Sequence, residues 1–169
     1  MTGWLLDTNV VVELANPYVA ARVHAWAVAQ DERRLCLSIL TLGEYEKGLH
    51  NLPEDSAIRP RIEAALTALA ARFSGRPLPV SDAVVRRWGA VSGTVKRVTG
   101  QTPPVIDTML AATALEHNLY VVTRNTRDVQ HSGAALFNPW VDDPAMCRLR
   151  PSTRRTRLQA KPAREPGSR

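Results

Sequence analysis

The 169 residues suffice for one domain with a sizeable core and leave little room for a second. Hydrophobic residues at 44% and charged residues at 22% give an ordinary globular balance, and the longest apolar runs fall far short of a membrane span. The net charge of +6 is uneven: residues 148–169 hold eight basic side chains against Glu165 alone, which leaves residues 1–147 nearly neutral and poor at binding phosphate by charge alone.

Residues 1–7 have no basic leader and an acid ends their apolar run, so they do not read as a secretory signal. Trp4-Leu5-Leu6 reads as a short buried strand ending at Asp7. Thr8-Asn9 open a helical stretch that Asn16-Pro17 stops. Residues 18–30 have helical spacing, with Val19, Val23, Trp26 and Ala27 on one face. Leu35-Cys36-Leu37-Ser38 reads as a second strand with Cys36 as a core thiol. Cys36 and Cys147 are far apart and in no metal-type spacing, which points to a reducing cytoplasm and away from a disulfide framework. Thr41-Leu42-Gly43-Glu44 opens the next helix, Pro53 breaks it, and 58–73 form a longer one.

Leu78-Pro79-Val80 reads as a short strand before a helix capped at Ser81 and carrying Val84, Val85, Trp88 and Val91. A loop over 100–104 delivers Val105-Ile106-Asp107 to the start of an Ala-rich helix that ends near His117-Asn118. Leu119-Tyr120-Val121-Val122-Thr123 is the clearest strand, and 135–138 form a last edge strand before Pro139-Trp140. The tail from 148 onward has Pro151, Pro162 and Pro166 and almost no apolar side chains. Its composition predicts disorder and two readings, a polyanion-binding arm or a solvated extension.

Strands alternating with helices predict an α/β domain whose parallel sheet is covered on both faces. Ligands bind such sheets beyond the carboxyl ends of the strands. Asp7, Glu44, Asp107 and Asp128 all fall on that rim. Gathered carboxylates raise one another's pKa unless a cation neutralises them, so their convergence describes a hard-metal site, of the kind that acts on phosphate esters. Each acid also has a plainer reading. Asp7 and Asp107 suit helix caps, Thr41-x-x-Glu44 is a capping-box pattern, and Asp128 suits a solvated loop.

Leu5-Leu6-Asp7-Thr8-Asn9, Ser38-Ile39-Leu40-Thr41-Leu42-Gly43-Glu44, Asp107-Thr108-Met109-Leu110-Ala111-Ala112 and Val121-Val122-Thr123-Arg124-Asn125 resemble the motifs of PIN-domain ribonucleases. Phe137-Asn138-Pro139-Trp140 adds a likeness to the FitB-like branch of the VapC toxins of bacterial toxin–antitoxin pairs. The resemblance covers 4–140. It implies a three-layer α/β/α fold with a short, mostly parallel central sheet over 1–147, and an endoribonuclease dependent on Mg²⁺ or Mn²⁺. It also implies a homodimer and an antitoxin partner, with no membrane association. The matching acids are Asp7, Glu44 and Asp107; the fourth position falls to Asn125 or to Asp128, three residues on.

On this resemblance Asp7 and Asp107 lie nearest the metal, while Glu44 and Asp128 hold its waters or a second ion. Thr8, Asn9 and Thr123 orient ligands, and Arg124 meets a phosphate or is a surface charge. His24, His50, His117 and His131 fall in no shared motif. Trp4, Trp26 and Trp88 sit at core-like spacing, and Trp140 is the best exposed candidate for stacking a base. A haloacid-dehalogenase-like phosphatase also ends its first strand on an Asp, but it needs a second Asp where this chain has Asn9. A non-catalytic PIN-like interaction or nucleic-acid-binding protein is the other alternative; intact Asp7, Glu44 and Asp107 argue against it.

Overall fold

The computed structural model describes residues 1–150. Residues 151–169, most of the tail expected to be disordered, lie outside the described residues. Four short strands, β1 (Gly3–Leu6), β2 (Leu35–Leu37), β3 (Leu119–Val122) and β4 (Ala135–Phe137), form one sheet in the order β2-β1-β3-β4, and every pairing is parallel.

Side-chain alternation along the strands divides the core in two. Trp4, Leu6, Leu35, Leu37, Val122 and Phe137 face one way. They pack on α1 (Thr8–Leu14), α2 (Ala21–Val28), α3 (Ile39–His50) and α4 (Arg59–Arg72) through Val10, Trp26, Tyr45 and Leu66. Trp4 is central to this side: its ring meets Trp26 edge-on at 5.5 Å and lies 5.1 Å from both Phe137 and Tyr120. Such pairs add ~0.5–1.5 kcal/mol each beyond buried area. Leu5, Leu119 and Val121 face the other way, onto Leu110 and Ala114 of α6 (Val105–His117). The outer side of α6 meets α5 (Asp82–Thr99) through Ala112, Val84, Val91 and Val95. Helix α6 is therefore buried almost all round, which its run of small residues permits. The result is a three-layer α/β/α fold. No helix among the described residues is long and apolar enough to cross a membrane.

Several local expectations shift. Leu78-Pro79-Val80 makes no strand, only an isolated parallel bridge between Ser38 and Leu78. Leu78 donates to Leu37 and accepts from Ile39, but Pro79 has no N–H with which to extend the ladder. Helix α2 begins at Ala21, not Tyr18, because Asn16-Pro17 form a turn in which Asn16 Oδ1 accepts from the Tyr18 amide. Helix α3 begins at Ile39, two residues earlier than Thr41, with Ser38 as its cap. Residues 148–150 also touch the body of the domain. The Arg148 amide donates to the Tyr120 hydroxyl, the Arg150 amide donates to the Met1 carbonyl, and Leu149 packs on the core.

Candidate active site

From β1 the chain passes to β2 on one side, and it later returns to β3 on the other. The connections therefore diverge between β1 and β3, and a crevice opens beyond their carboxyl ends. Asp7 and Thr123 are the first residues past those two strands. The Asp7 amide continues the ladder by donating to Val122, and the Thr123 hydroxyl donates to Asp7 Oδ2 at 2.6 Å.

Asp7 is 9% exposed and caps α1, its Oδ1 accepting the Thr8 amide at 2.6 Å. Its Oδ2 also accepts from Asn9 Nδ2 at 2.6 Å. Burial pushes the carboxyl pKa up. Hydrogen bonds from Thr123, Thr8 and Asn9 pull it down and the charge of Glu44 raises it again, for a net rise. Thr123 is itself saturated: its oxygen accepts from Asn9 Nδ2 and the Asn125 amide while its proton goes to Asp7. Asp7 is thus both cap and cleft acid.

Glu44 is not part of a capping box. Its Oε2 accepts the Thr8 hydroxyl at 2.7 Å, and the Thr41 hydroxyl, buried beneath, donates instead to the Leu6 carbonyl at 3.2 Å. The cap belongs to Ser38, which places Glu44 one and a half turns into α3 and aims it across at α1. Asp107 lies in the first turn of α6 behind Pro104, and it does not cap that helix. It is half-buried, and among the described residues nothing donates a hydrogen bond to it. Burial, then the charges of Asp7, Asp128 and Glu44, push its pKa up to about 6.

Asp7, Glu44 and Asp107 line one cleft of about 500 Å³, together with Thr8, Asn9, Arg124 and Asn125. Asp128 does not line it. Set in α7 (Thr126–Val129), it accepts from Asn125 Nδ2. Asn125 and Asp128 are therefore partners: one faces the cleft and the other holds it from behind. Asp128 nevertheless acts on Asp107 more strongly than Glu44 does, because electrostatic influence does not require a shared wall. None of the four histidines lines the cleft.

Sequence reasoning gave no role to two residues here. Lys47 lines the cleft one turn beyond Glu44, a placement readable from the i, i+3 spacing on one helix. Asn138, read only as part of the Phe137-Asn138-Pro139-Trp140 ending, is buried and bonds to both Arg124 and Trp140. Trp4 and Trp26 are core, and Trp88 is half-buried with its indole N–H on Thr108.

The cleft offers carboxylate, amide and hydroxyl oxygens and no histidine or cysteine, and the unpartnered Asp107 carboxylate among other acids suits a hard divalent cation. Among the described residues no three acidic, histidine or cysteine side chains stand close enough to enclose an ion unaided.

A short parallel sheet between helical layers, with carboxylates converging at its switch point, is the architecture of a PIN domain. Residues 4–132 match the PIN domain model, and the chain belongs to that family. It is 33% identical to Toxin FitB of Neisseria gonorrhoeae over 141 residues, covering 82% of this chain and 99% of that protein. It is 34% identical to VapC ribonuclease Y4jK of Sinorhizobium fredii over 140 residues, covering 80% and 96%. Among solved structures, FitAB bound to an IR36 DNA fragment superposes with a TM-score of 0.72 at 30% identity, covering 83% of this chain and 97% of that one.

Proposed function

We infer that the chain is a divalent-metal-dependent endoribonuclease and the toxin of a toxin–antitoxin pair. The observation that carries this reading is the Asp107 carboxyl, held without a donor beside Asp7 and Glu44 and pushed up to about 6. A fold with no use for a cation gains nothing from leaving such a group unpaired. Asp7 and Asp107 would hold Mg²⁺ or Mn²⁺ directly, with Glu44 and Asn125 on its waters and Asp128 holding Asn125 from behind. Such an ion, when bound, offsets phosphate charge and lowers the pKa of a coordinated water. The chain's own part is positional. Thr123, Asn9 and the Thr8 amide fix both Asp7 oxygens, and the Thr8 hydroxyl fixes Glu44.

RNA is the substrate inferred from the ribonuclease among the relatives, and single-stranded or looped RNA fits a cleft that a duplex does not enter. An antitoxin partner is inferred from the FitAB complex. A second groove of about 500 Å³, lined by Val11, Leu14, Ala27, Val28, Leu69 and Phe73 between α1, α2 and α4, offers an apolar seat for one of its segments. A homodimer and a cytoplasmic setting complete the reading.

The test is cleavage of single-stranded RNA with Mg²⁺ or Mn²⁺, with chelator, and by Asp7→Asn. Cleavage that stops with chelator and with Asp7→Asn is expected. Cleavage that survives both would overturn the metal mechanism.

A further inference from the structure

Arg124 lines the acid cleft, yet among the described residues it forms no ion pair with any carboxylate there. Its guanidinium lies over the Trp140 ring instead, 5.1 Å from the centroid. An arginine beside several acids would ordinarily collapse onto one of them. Here the backbone is held against that. Asn138 Nδ2 donates to the Arg124 carbonyl at 3.4 Å, while Asn138 Oδ1 accepts the Trp140 amide at 3.0 Å. One buried side chain thus joins both members of the stack. The Arg124 amide in turn donates to Asn9 Oδ1 at 3.2 Å, which ties the stack to the network around Asp7. Asn138 and Trp140 both lie beyond the span matched to the PIN domain. On another wall of the same cleft stands Lys47, exposed and likewise without an ion pair among the described residues.

We propose that Trp140, clamped by Asn138, holds Arg124 off the acids so that its guanidinium grips a backbone phosphate of single-stranded RNA beside the scissile one, with Lys47 gripping a second. A guanidinium stacked on an indole keeps its N–H edge for a phosphate and offers its outer face to an unstacked base. The two cations give local positive charge to a body whose net charge is nearly neutral. Trp140 and Asn138 are positioning residues that act through Arg124. This deepens the ribonuclease reading and rests on it for the substrate class.

The test uses the full chain carrying Asp107→Asn, so that binding is read without cleavage, with a fluorescent single-stranded RNA titrated across salt concentrations. Adding Arg124→Gln should weaken binding about tenfold and reduce the salt slope by roughly 0.7, the value for one phosphate contact on a single strand. Lys47→Gln should reduce the slope similarly. Arg124→Lys should keep the slope but bind more weakly, because an ammonium lacks the stacked, forked geometry. Trp140→Leu should weaken binding, and the double change with Arg124→Gln should be no worse than Arg124→Gln alone, the signature of a residue acting through another. Trp140→Phe, a milder change, should fall between. Arg97→Gln, on α5 and outside the lining of the cleft, is the charge control and should leave the slope unchanged.

Unchanged slopes for Arg124→Gln and Lys47→Gln, or an equal drop for Arg97→Gln, would overturn the proposal. The parent reading fails separately. If the unsubstituted chain cuts no RNA with either metal while these binding effects hold, the enzyme assignment falls and the phosphate grip stands.

Discussion

Thr8 donates its hydroxyl to Glu44 at 2.7 Å while its amide donates to Asp7 at 2.6 Å, so one residue sets the spacing of two carboxylates brought from 37 residues apart in sequence. Without the hydroxyl, Glu44 is released from α1 and the charge it presents to the cleft is no longer fixed. Thr8→Val should therefore lower RNA cleavage by about tenfold at subsaturating metal while costing only about 1 kcal/mol of stability, the usual net worth of one such bond. Thr8→Ser should restore most of the rate. Wild-type kinetics in Thr8→Val, measured beside thermal unfolding, would show that Glu44 needs no anchor.

Asp107 carries an opposite pair of pH dependences. Its carboxyl is pushed from 3.8 up to about 6, so the metal-free fold prefers it protonated. That contribution is fully present below 3.8 and is lost as pH rises through 6, which makes the metal-free protein less stable at neutral pH. Asp107→Asn should raise metal-free stability at pH 7.5 by on the order of 1–2 kcal/mol after solvent screening, with the gain fading toward pH 4. Metal binding runs the other way. Ligation needs the ionised form, so Mn²⁺ affinity of the unsubstituted chain should rise about tenfold per pH unit up to 6 and then level off. Calorimetry across pH 4–8 reads both, and a pH-independent Asp107→Asn effect would remove the argument.

The fold was legible because its signals are local. Trp4-Leu5-Leu6 and 119–122 alternate between two buried faces, and Ser81, Asn118 and Gly100 punctuate helices in the expected way. The acids were legible because each follows a strand or opens a helix at one rim. Their relations were not. A capping box at Thr41–Glu44 is satisfied by spacing alone, and only the tertiary contact with Thr8 decides against it. Asn125 and Asp128 read as rivals for one role because a sequence shows positions without depth, and the short helix α7 stacks one behind the other. Asn138 stood in the Phe137-Asn138-Pro139-Trp140 motif, but its bond to Arg124 joins two segments that only the fold brings together.

Asp128 provides a test of that depth. It shapes the site through Asn125 and through its charge on Asp107, where it ranks after Asp7 and before Glu44. Asp128→Asn removes a negative charge and should let Asp107 ionise at lower pH. The acid limb of the cleavage profile should then move downward by a few tenths of a pH unit or more, with less than about threefold loss at pH 8, because electrostatic influence at this remove is modest. Loss of about a hundredfold or more at every pH would instead make Asp128 a direct participant in the reaction.

Gly3 tests whether the site depends on the register beneath it. A Cβ at this position would lie 2.4 Å from the Arg34 carbonyl oxygen, and both the oxygen and the carbon bearing it are backbone that cannot rotate away. Gly3 opens β1, Arg34 directly precedes β2, and Trp4 pairs with Leu35. Gly3→Ala must therefore push the two strands apart at their amino ends, the overpacking case that costs about 1–3 kcal/mol. Asp7 sits at the far end of the same four-residue strand and is fixed by Thr123 on the opposite side, so much of the displacement should be absorbed before it reaches the cleft. The expected result is a clear drop in unfolding midpoint with RNA cleavage at low temperature within about threefold of the unsubstituted chain, since distant sites behave nearly independently. An unchanged midpoint would mean that the β1–β2 pairing differs from the one described, and with it the placement of Asp7 against Glu44.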